Sequence, residues 1–292
     1  FDIPVKGTMA HSWIMSFESE LAAFEKYAEV YPDGCVLLID TYDTLKSGLE
    51  NAIKIGKKLQ EKGHDSFGVR LDSGDLEYLS KRVRERLDQV GLKNAKIAAS
   101  NELDEGIIHQ LLTEKAPIDI WGVGTHLVTA KNDPALTGVY KLMPKEVDGK
   151  FAPPIKVSNN PEKISDPGIK QVYRFHNGAG SPIADFIALE GEELKVGPPY
   201  RFYHPRYPYR FLDVVNYQRI EALLTPVMKE GKILTRLPDL RTIQKRTKNN
   251  LGALDDTYKR LINPHVYKVS LSEKLKDLKF GMIAEYEKSV QE

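Results

Sequence analysis

The first half of the chain alternates short, nearly continuous apolar runs with longer stretches whose apolar residues recur every three or four positions. "CVLLID" (residues 35–40) is the first run. In the following "TLKSGLENAIKIGKKLQEKG", Leu45, Leu49, Ala52, Gly56 and Leu59 share a face at helical spacing, and Gly63 stops the pattern. "FGVRLD" (67–72) predicts a second strand, and its helix carries Leu76, Leu79, Val83, Leu87 and Val90 up to Gly91. "AKIAAS" (95–100) predicts a third, with a helix over roughly 103–114. "IDIWGVGT" (118–125) predicts a fourth that ends in glycines. Strand then helix, repeated at short intervals, is the pattern of βα units on a parallel sheet.

Near Asp133 the pattern changes. "TGVYKLM", "PPIKVS", "KQVYRFH" and "PIADFIALEG" read as antiparallel strands separated by Gly, Pro and Asn. From about Val214 the text reads as helical, through "VVNYQRIEALLTPVMKEGK", "PDLRTIQKRTKNNLGAL" and "SLSEKLKDLKFGMIAEYEKS". The expectation is an α/β region over 1–133, a β-rich segment of a second domain over 134–213, and a helical C-terminal region over 214–292.

Composition narrows the class. The 292 residues, 41% hydrophobic and 28% charged, suffice for one large or two ordinary globular domains. A formal net charge of +1 argues against a nucleic-acid-coating protein. No long apolar run predicts a membrane span and no signal-peptide pattern opens the chain, and the use of a single cysteine fits a reducing, cytoplasmic home. The single cysteine, Cys35, rules out an internal disulfide framework and reads as a buried core thiol. The opening "FDIPVKG", with neither Met nor a capping residue, reads as the interior of a longer polypeptide.

Each predicted strand ends in residues unsuited to a core: Asp40, Thr41 and Asp43; then Arg70, Asp72, Ser73, Gly74 and Asp75; then Ser100, Asn101 and Glu102; then Gly122, Gly124, Thr125 and His126. The carboxyl ends of parallel strands open on one face, which carries the chemistry in such folds. "VKGTMAH" fits the strand-end loop of an earlier unit and would bring Thr8 and His11 to the same rim. Bland readings stand beside these. Asp43 and Asp75 precede helices and suit N-caps. Arg70 and Asp72 share a face at the period of two and suit a structural ion pair. The glycines of "WGVGT" suit either a simple turn or a close approach of backbone N–H groups to a phosphate. Lys131 and Lys141 lie downstream, where a solvated lysine is the default. No zinc-type Cys/His spacing and no serine nucleophile elbow is present. A carboxylate pair beside phosphate-cradling glycines suits a magnesium-bound, phosphorylated substrate.

"GTMAHSW", "LLIDTYDTLKSG", "GVRLDSGDL", "WGVGTHLV" and "DPGIKQVYRF" occur in this order, and "RLINPHVYKVSLSEKL" follows near the end. Together these strings resemble nicotinate phosphoribosyltransferase, of the type II phosphoribosyltransferase family. The resemblance implies an irregular α/β barrel, partial in this chain, with a second β-rich α+β domain and a helical C-terminal tail. It implies transfer of phosphoribosyl from phosphoribosyl pyrophosphate to nicotinate in NAD biosynthesis. ATP is the implied co-substrate, hydrolysed through a phosphohistidine, and Mg²⁺ the implied cofactor. His11 matches the phosphorylated histidine. Asp40 matches the carboxylate near ribose and magnesium, with Asp72 as its partner in catalysis and in any metal site. Arg70 matches the arginine facing the pyridine, and Thr8, Ser73, Ser100 and Asn101 are further substrate-binding candidates. Gly122, Gly124 and Thr125 match the 5′-phosphate loop. A homodimer with shared active sites is implied, with neither nucleic acid nor membrane as partner.

Three rivals remain at this point: nicotinamide phosphoribosyltransferase, with which "LDSGD" and "DTYDT" agree less well; a truncated, non-catalytic relative that binds phosphorylated ligands; and an aldolase-like barrel, for which Lys96 stands at the wrong end of its strand. One motif stays outside the scheme. "GPPYRFYHPRYPYRFLD" mixes Arg, Tyr and Pro and suits either stacking on RNA or an irregular surface segment, and the near-neutral charge favours the latter.

Overall fold

The four apolar runs form the parallel strands Cys35–Leu38 (β1), Phe67–Leu71 (β2), Lys96–Ala99 (β3) and Ile120–Trp121 (β4), hydrogen-bonded in the order β1-β2-β3-β4. The computed structural model describes residues 7–135, 138–142, 144–158, 160 and 163–291. The chain divides into two compact units, Phe1–Thr137 and Gly138–Glu292.

In the first unit, His11–Met15 (α1) and Glu20–Val30 (α2) precede the sheet. Leu49–Glu61 (α3), Leu76–Gln89 (α4), Glu105–Thr113 (α5) and Thr125–Thr129 (α6) follow β1 to β4 in turn. Strand order that follows chain order is the progression of a (β/α) barrel wall, in which each helix returns the chain to the next parallel position. Ile14, Phe24, Leu37, Val69, Leu71, Val83, Leu87 and Ile97 are fully buried in one core, which explains the apolar periodicity of the helices. Burial pushes the Cys35 thiol up to about 12, so it stays protonated and inert.

Glu20, only 5% exposed, is a cost to this unit. Its Oε2 accepts from Asn51 Nδ2 at 3.0 Å, while Oε1 is buried without a partner, and burial raises its pKa. A raised carboxyl binds its proton more tightly folded than unfolded, so it contributes stability at low pH and loses it as pH rises from about 4.5 through the folded value. Glu20→Gln keeps an acceptor for Asn51 and places its amide near Ser47. The variant is expected to melt higher than the parent at pH 7, with the gap closing towards pH 4. Thermal melts across that range check this, and a variant that melts lower at pH 7 refutes it.

The second unit begins with the hairpin Lys145–Val147 (β5) and Lys150–Ala152 (β6), turned by Asp148 and Gly149 at φ 51° and 74°. Its main sheet contains Lys170–His176 (β7), Pro182–Leu189 (β8), Tyr200–Tyr203 (β9), Phe211–Val214 (β10) and Arg219–Ala222 (β11). Met228–Lys229 (β12) and Lys232–Ile233 (β13) form a small hairpin, and Leu240–Ala253 (α7) follows. Lys268–Leu271 (β14) then enters the main sheet, whose order is β10-β9-β14-β8-β7-β11. Glu273–Gln291 (α8) packs on β8 and β9. Phe175, Phe186 and Phe202 meet edge-on or tilted at 4.5–6.0 Å in the core beneath.

Three sequence expectations are corrected. The described parts of "TGVYKLM" and "PPIKVS" carry no strand, residues 137 and 143 lying outside the described set. Val139, Tyr140 and Leu142 are exposed, so no neighbour pays for a ladder there; the hairpin sits instead at the Asp-Gly turn just beyond. Residues 214–232 are not helical. Val214, Tyr217 and Ile220 mimic a helical stripe, yet they reach the core from β10, a loop and β11, an ambiguity inherent in short apolar runs. The Tyr/Arg/Pro segment is not irregular: β9 and β10 pair antiparallel across it, from Tyr203↔Phe211 to Tyr200↔Val214.

Candidate functional site

Three backbone hydrogen bonds continue the parallel ladder past the strands: Ile39 N–H to the Arg70 carbonyl at 3.2 Å, Ser100 N–H to Leu71 at 2.9 Å, and Gly122 N–H to Ala99 at 2.7 Å. They align Asp40, Asp72, Ser100 and Gly122 in a row along the carboxyl edge of the first unit's sheet. The segment before α1 lies across that edge. Thr8 Oγ1 donates to the Val36 carbonyl, Met9 is buried, and Arg70 Nη2 donates to the Met9 carbonyl at 2.9 Å. Buried Ile14 and the Trp13 Nε1 hydrogen bond to Ala23 O at 3.4 Å anchor α1, which His11 begins.

His11 meets the row. Its Nδ1 lies 3.0 Å from Thr41 Oγ1, and its Nε2 faces Asp72 Oδ2 at 3.5 Å and Asp40 Oδ1 at 3.9 Å. The Asp40 side chain is only 1% exposed. Its Oδ2 accepts from Asp72 N–H at 2.9 Å and Ser73 Oγ at 2.5 Å, while Oδ1 is buried without a hydrogen-bond partner among the described residues. Ser100 Oγ donates to Asp72 Oδ1, which leaves Oδ2 towards His11. A buried anionic oxygen without a donor is costly unless a cation shares the space. A divalent cation that takes one or two carboxylates and completes its shell with substrate oxygens fits this donor set.

The rival readings of single residues separate here. Asp43 Oδ1 accepts from Lys46 N–H at 2.9 Å and Asp75 Oδ1 from Tyr78 N–H at 3.0 Å, so both are caps. Arg70 forms no ion pair with Asp72, and its Nε is buried without a partner. Lys96 is paired with Asp119 at 2.9 Å at the amino end of β3, away from the row. Gly122 gives its N–H to the sheet; an added Cβ there would stand 3.2 Å from Ser100 Cβ, so it makes room rather than cradling a phosphate. The N–H groups of Gly124 and Thr125 have no acceptor among the described residues. Asn101, at φ 79°, joins none of these contacts and lines a neighbouring cavity of about 530 Å³ with Gly74, Glu77 and Gln110.

The sequence pattern puts Thr41 and His126 at strand ends but assigns them no role, and nothing in it points to the backbone carbonyl of Met9. Thr41 selects the orientation of His11, and its adjacency to Asp40 was the available signal. His126 places a buried, partnerless Nδ1 beside the glycine loop while Nε2 lies 3.4 Å from Lys131. No described helix is long and apolar enough to cross a membrane.

Residues 169–279 match the family model described as the nicotinate phosphoribosyltransferase C-terminal domain. The nicotinate phosphoribosyltransferase of Bacillus subtilis (strain 168) is 42% identical over 293 residues, covering 100% of this chain and 59% of that protein. That of Caenorhabditis elegans is 34% identical over 333 residues, covering 94% of this chain and 58% of the other. The crystal structure of human nicotinic acid phosphoribosyltransferase superposes with a TM-score of 0.75 at 26% identity, covering 96% of this chain and 62% of that one. The chain thus spans about three-fifths of the length of these relatives. Sequence likeness along the whole chain, the match of the second unit and the shared α/β architecture agree in making the chain similar to nicotinate phosphoribosyltransferases.

Proposed function

We propose that this chain carries the phosphoribosyl-transfer site of a nicotinate phosphoribosyltransferase, with nicotinate, phosphoribosyl pyrophosphate and ATP as substrates, in a cytoplasmic homodimer. The observation that carries this reading is the arrangement of His11: one nitrogen held by Thr41, the other opposed to two carboxylates. With Nδ1–H donating to Thr41, Nε2 presents its lone pair to the rim, as a phosphoryl acceptor must. Asp40 Oδ1 and Asp72 Oδ2 would hold Mg²⁺, which when bound neutralises the leaving pyrophosphate. Asp40 would serve as the flanking carboxylate that steadies positive charge developing on the ribose. The free N–H groups of Gly124 and Thr125 support a 5′-phosphate subsite.

Nicotinate is favoured over nicotinamide by Arg70. Among the described residues its buried Nε has no partner and no carboxylate neutralises the guanidinium, so the acid's carboxylate offers the missing paired acceptor. Faster turnover of nicotinamide than of nicotinate would refute that choice.

The decisive assay is pyrophosphate release from phosphoribosyl pyrophosphate and nicotinate, with and without ATP. His11→Ala is expected to abolish coupled ATP hydrolysis and to weaken, without eliminating, the transfer. ATP hydrolysis unchanged in the variant would remove His11 from this role.

A further inference from the structure

The second unit contains a cleft of about 910 Å³ that the proposed reaction does not use. One wall is the turn between β9 and β10; the other is the segment entering β14. Arg206, Arg210, Arg260 and Lys268 line it with His204 and His265, and among the described residues no carboxylate does. Three other arginines of this unit are neutralised: Arg174 by Asp185 at 2.8 Å, Arg201 by Asp213 at 2.8 Å, Arg219 by Glu221 at 2.8 Å. Arg210, Arg260 and Lys268 are exposed and, among the described residues, form no ion pair. In a chain with net charge +1, the three like charges of Arg210, Arg260 and Lys268 around one cleft form a focused positive field.

The walls are built. His204 Nδ1 accepts the N–H groups of Arg206 at 3.1 Å and Tyr207 at 3.2 Å, and the His204 N–H donates to the Arg210 carbonyl at 2.9 Å. Lys279, 4% exposed, donates to the Pro205 carbonyl at 3.0 Å and to Asp166 at 2.7 Å, which ties the turn to α8. On the other wall, the Tyr267 hydroxyl donates to Asp185 at 2.9 Å, and the rings of Tyr258 and His265 stack at 5.2 Å and 9°. Tyr207 is 45% exposed, with the Arg210 guanidinium 6.0 Å from its ring centre. A flat aromatic face beside three uncompensated cations suits a ligand with a ring at one end and several negative charges at the other. The volume is that of a small-molecule site.

The geometry points to a second ligand site, in which a nucleoside polyphosphate lies in this cleft, its base against Tyr207 and its phosphates across Arg210, Arg260 and Lys268. The site involves none of the rim residues, so it stands or falls apart from the transfer reaction.

Photolabelling of the intact chain with 8-azido-ATP, followed by peptide mapping, tests this. Saturable label is expected on peptides containing 204–210 or 260–270. ATP and tripolyphosphate should compete, and adenosine should not. R210E/K268E should weaken labelling about tenfold or more at an unchanged melting temperature. If that variant fails to fold, Arg260→Ala replaces it and should weaken labelling severalfold. Label confined to the first unit, label undiminished in a folded variant, or displacement by an oligoribonucleotide at about a hundredth of the ATP concentration would each overturn the proposal, the last in favour of RNA.

Discussion

Gly48→Ala is expected to destabilise the first unit by about 4 kcal/mol or more and to lower its melting temperature by about 10 °C. Gly48 closes the single π turn Thr44–Gly48 that delivers the chain into α3. A Cβ built there would lie 1.8 Å from the Ile39 carbonyl oxygen and 2.7 Å from its carbon. Both are backbone atoms of the segment leaving β1, and Ile39 N–H is itself held to the Arg70 carbonyl at 3.2 Å. No rotamer change relieves such a contact, so either the strand end or the whole helix must move. Because Ile39 precedes Asp40, the displacement also reaches the candidate site. Gly252→Ala in α7 is the control: nothing lies within 4 Å of its Cβ, and a small gain from helix propensity is expected. Thermal melts of both variants check this; a Gly48→Ala protein within a few degrees of the parent would show that β1 and α3 are not locked together at this point.

The close approach at Gly48 illustrates what sequence patterning does and does not carry. The βα alternation was legible because burial imposes two periods, two in a strand and 3.6 in a helix, and both were written over several turns. The rim was legible for a related reason: Asp40, Asp72 and Ser100 interrupt apolar text at the same place in three consecutive units, and parallel strands in chain order bring such interruptions together. Long-range geometry was not legible. Nothing local in "TLKSG" marks its glycine as the one pressed against Ile39, and nothing in "GVRLD" says whether Arg70 faces Asp72 or the Met9 carbonyl. For Gly122 the text leaves a turn and a phosphate-facing backbone both open, because glycine after a strand serves both purposes; in the structure its N–H goes to the Ala99 carbonyl. In the second unit, β14 enters between β8 and β9 from a point more than sixty residues later, and no local pattern encodes that insertion.

Asp40→Asn is the other substitution with a large expected effect, and it separates function from stability. Asparagine is nearly isosteric, and its carbonyl oxygen keeps the two hydrogen bonds that Asp40 Oδ2 accepts from Asp72 N–H and Ser73 Oγ. Its amide then occupies the place of Oδ1, the buried oxygen that has no donor. The substitution therefore removes an uncompensated charge from a side chain that is 1% exposed, and the melting temperature should hold or rise. Transfer should fall about a hundredfold or more, the usual cost of deleting one preorganised electrostatic group from a reacting centre. The same buried charge that is costly to the fold is what would hold a cation and face a developing positive ribose, so stability and activity should move in opposite directions. Steady-state rates with saturating phosphoribosyl pyrophosphate, paired with melting curves, give the answer. Activity within about threefold of the parent would reduce Asp40 to a support for the loop at residues 72–73. A steep fall in melting temperature would mean that its charge is compensated by the protein itself. Loss of activity with stability kept is the outcome that the orphaned Oδ1 predicts.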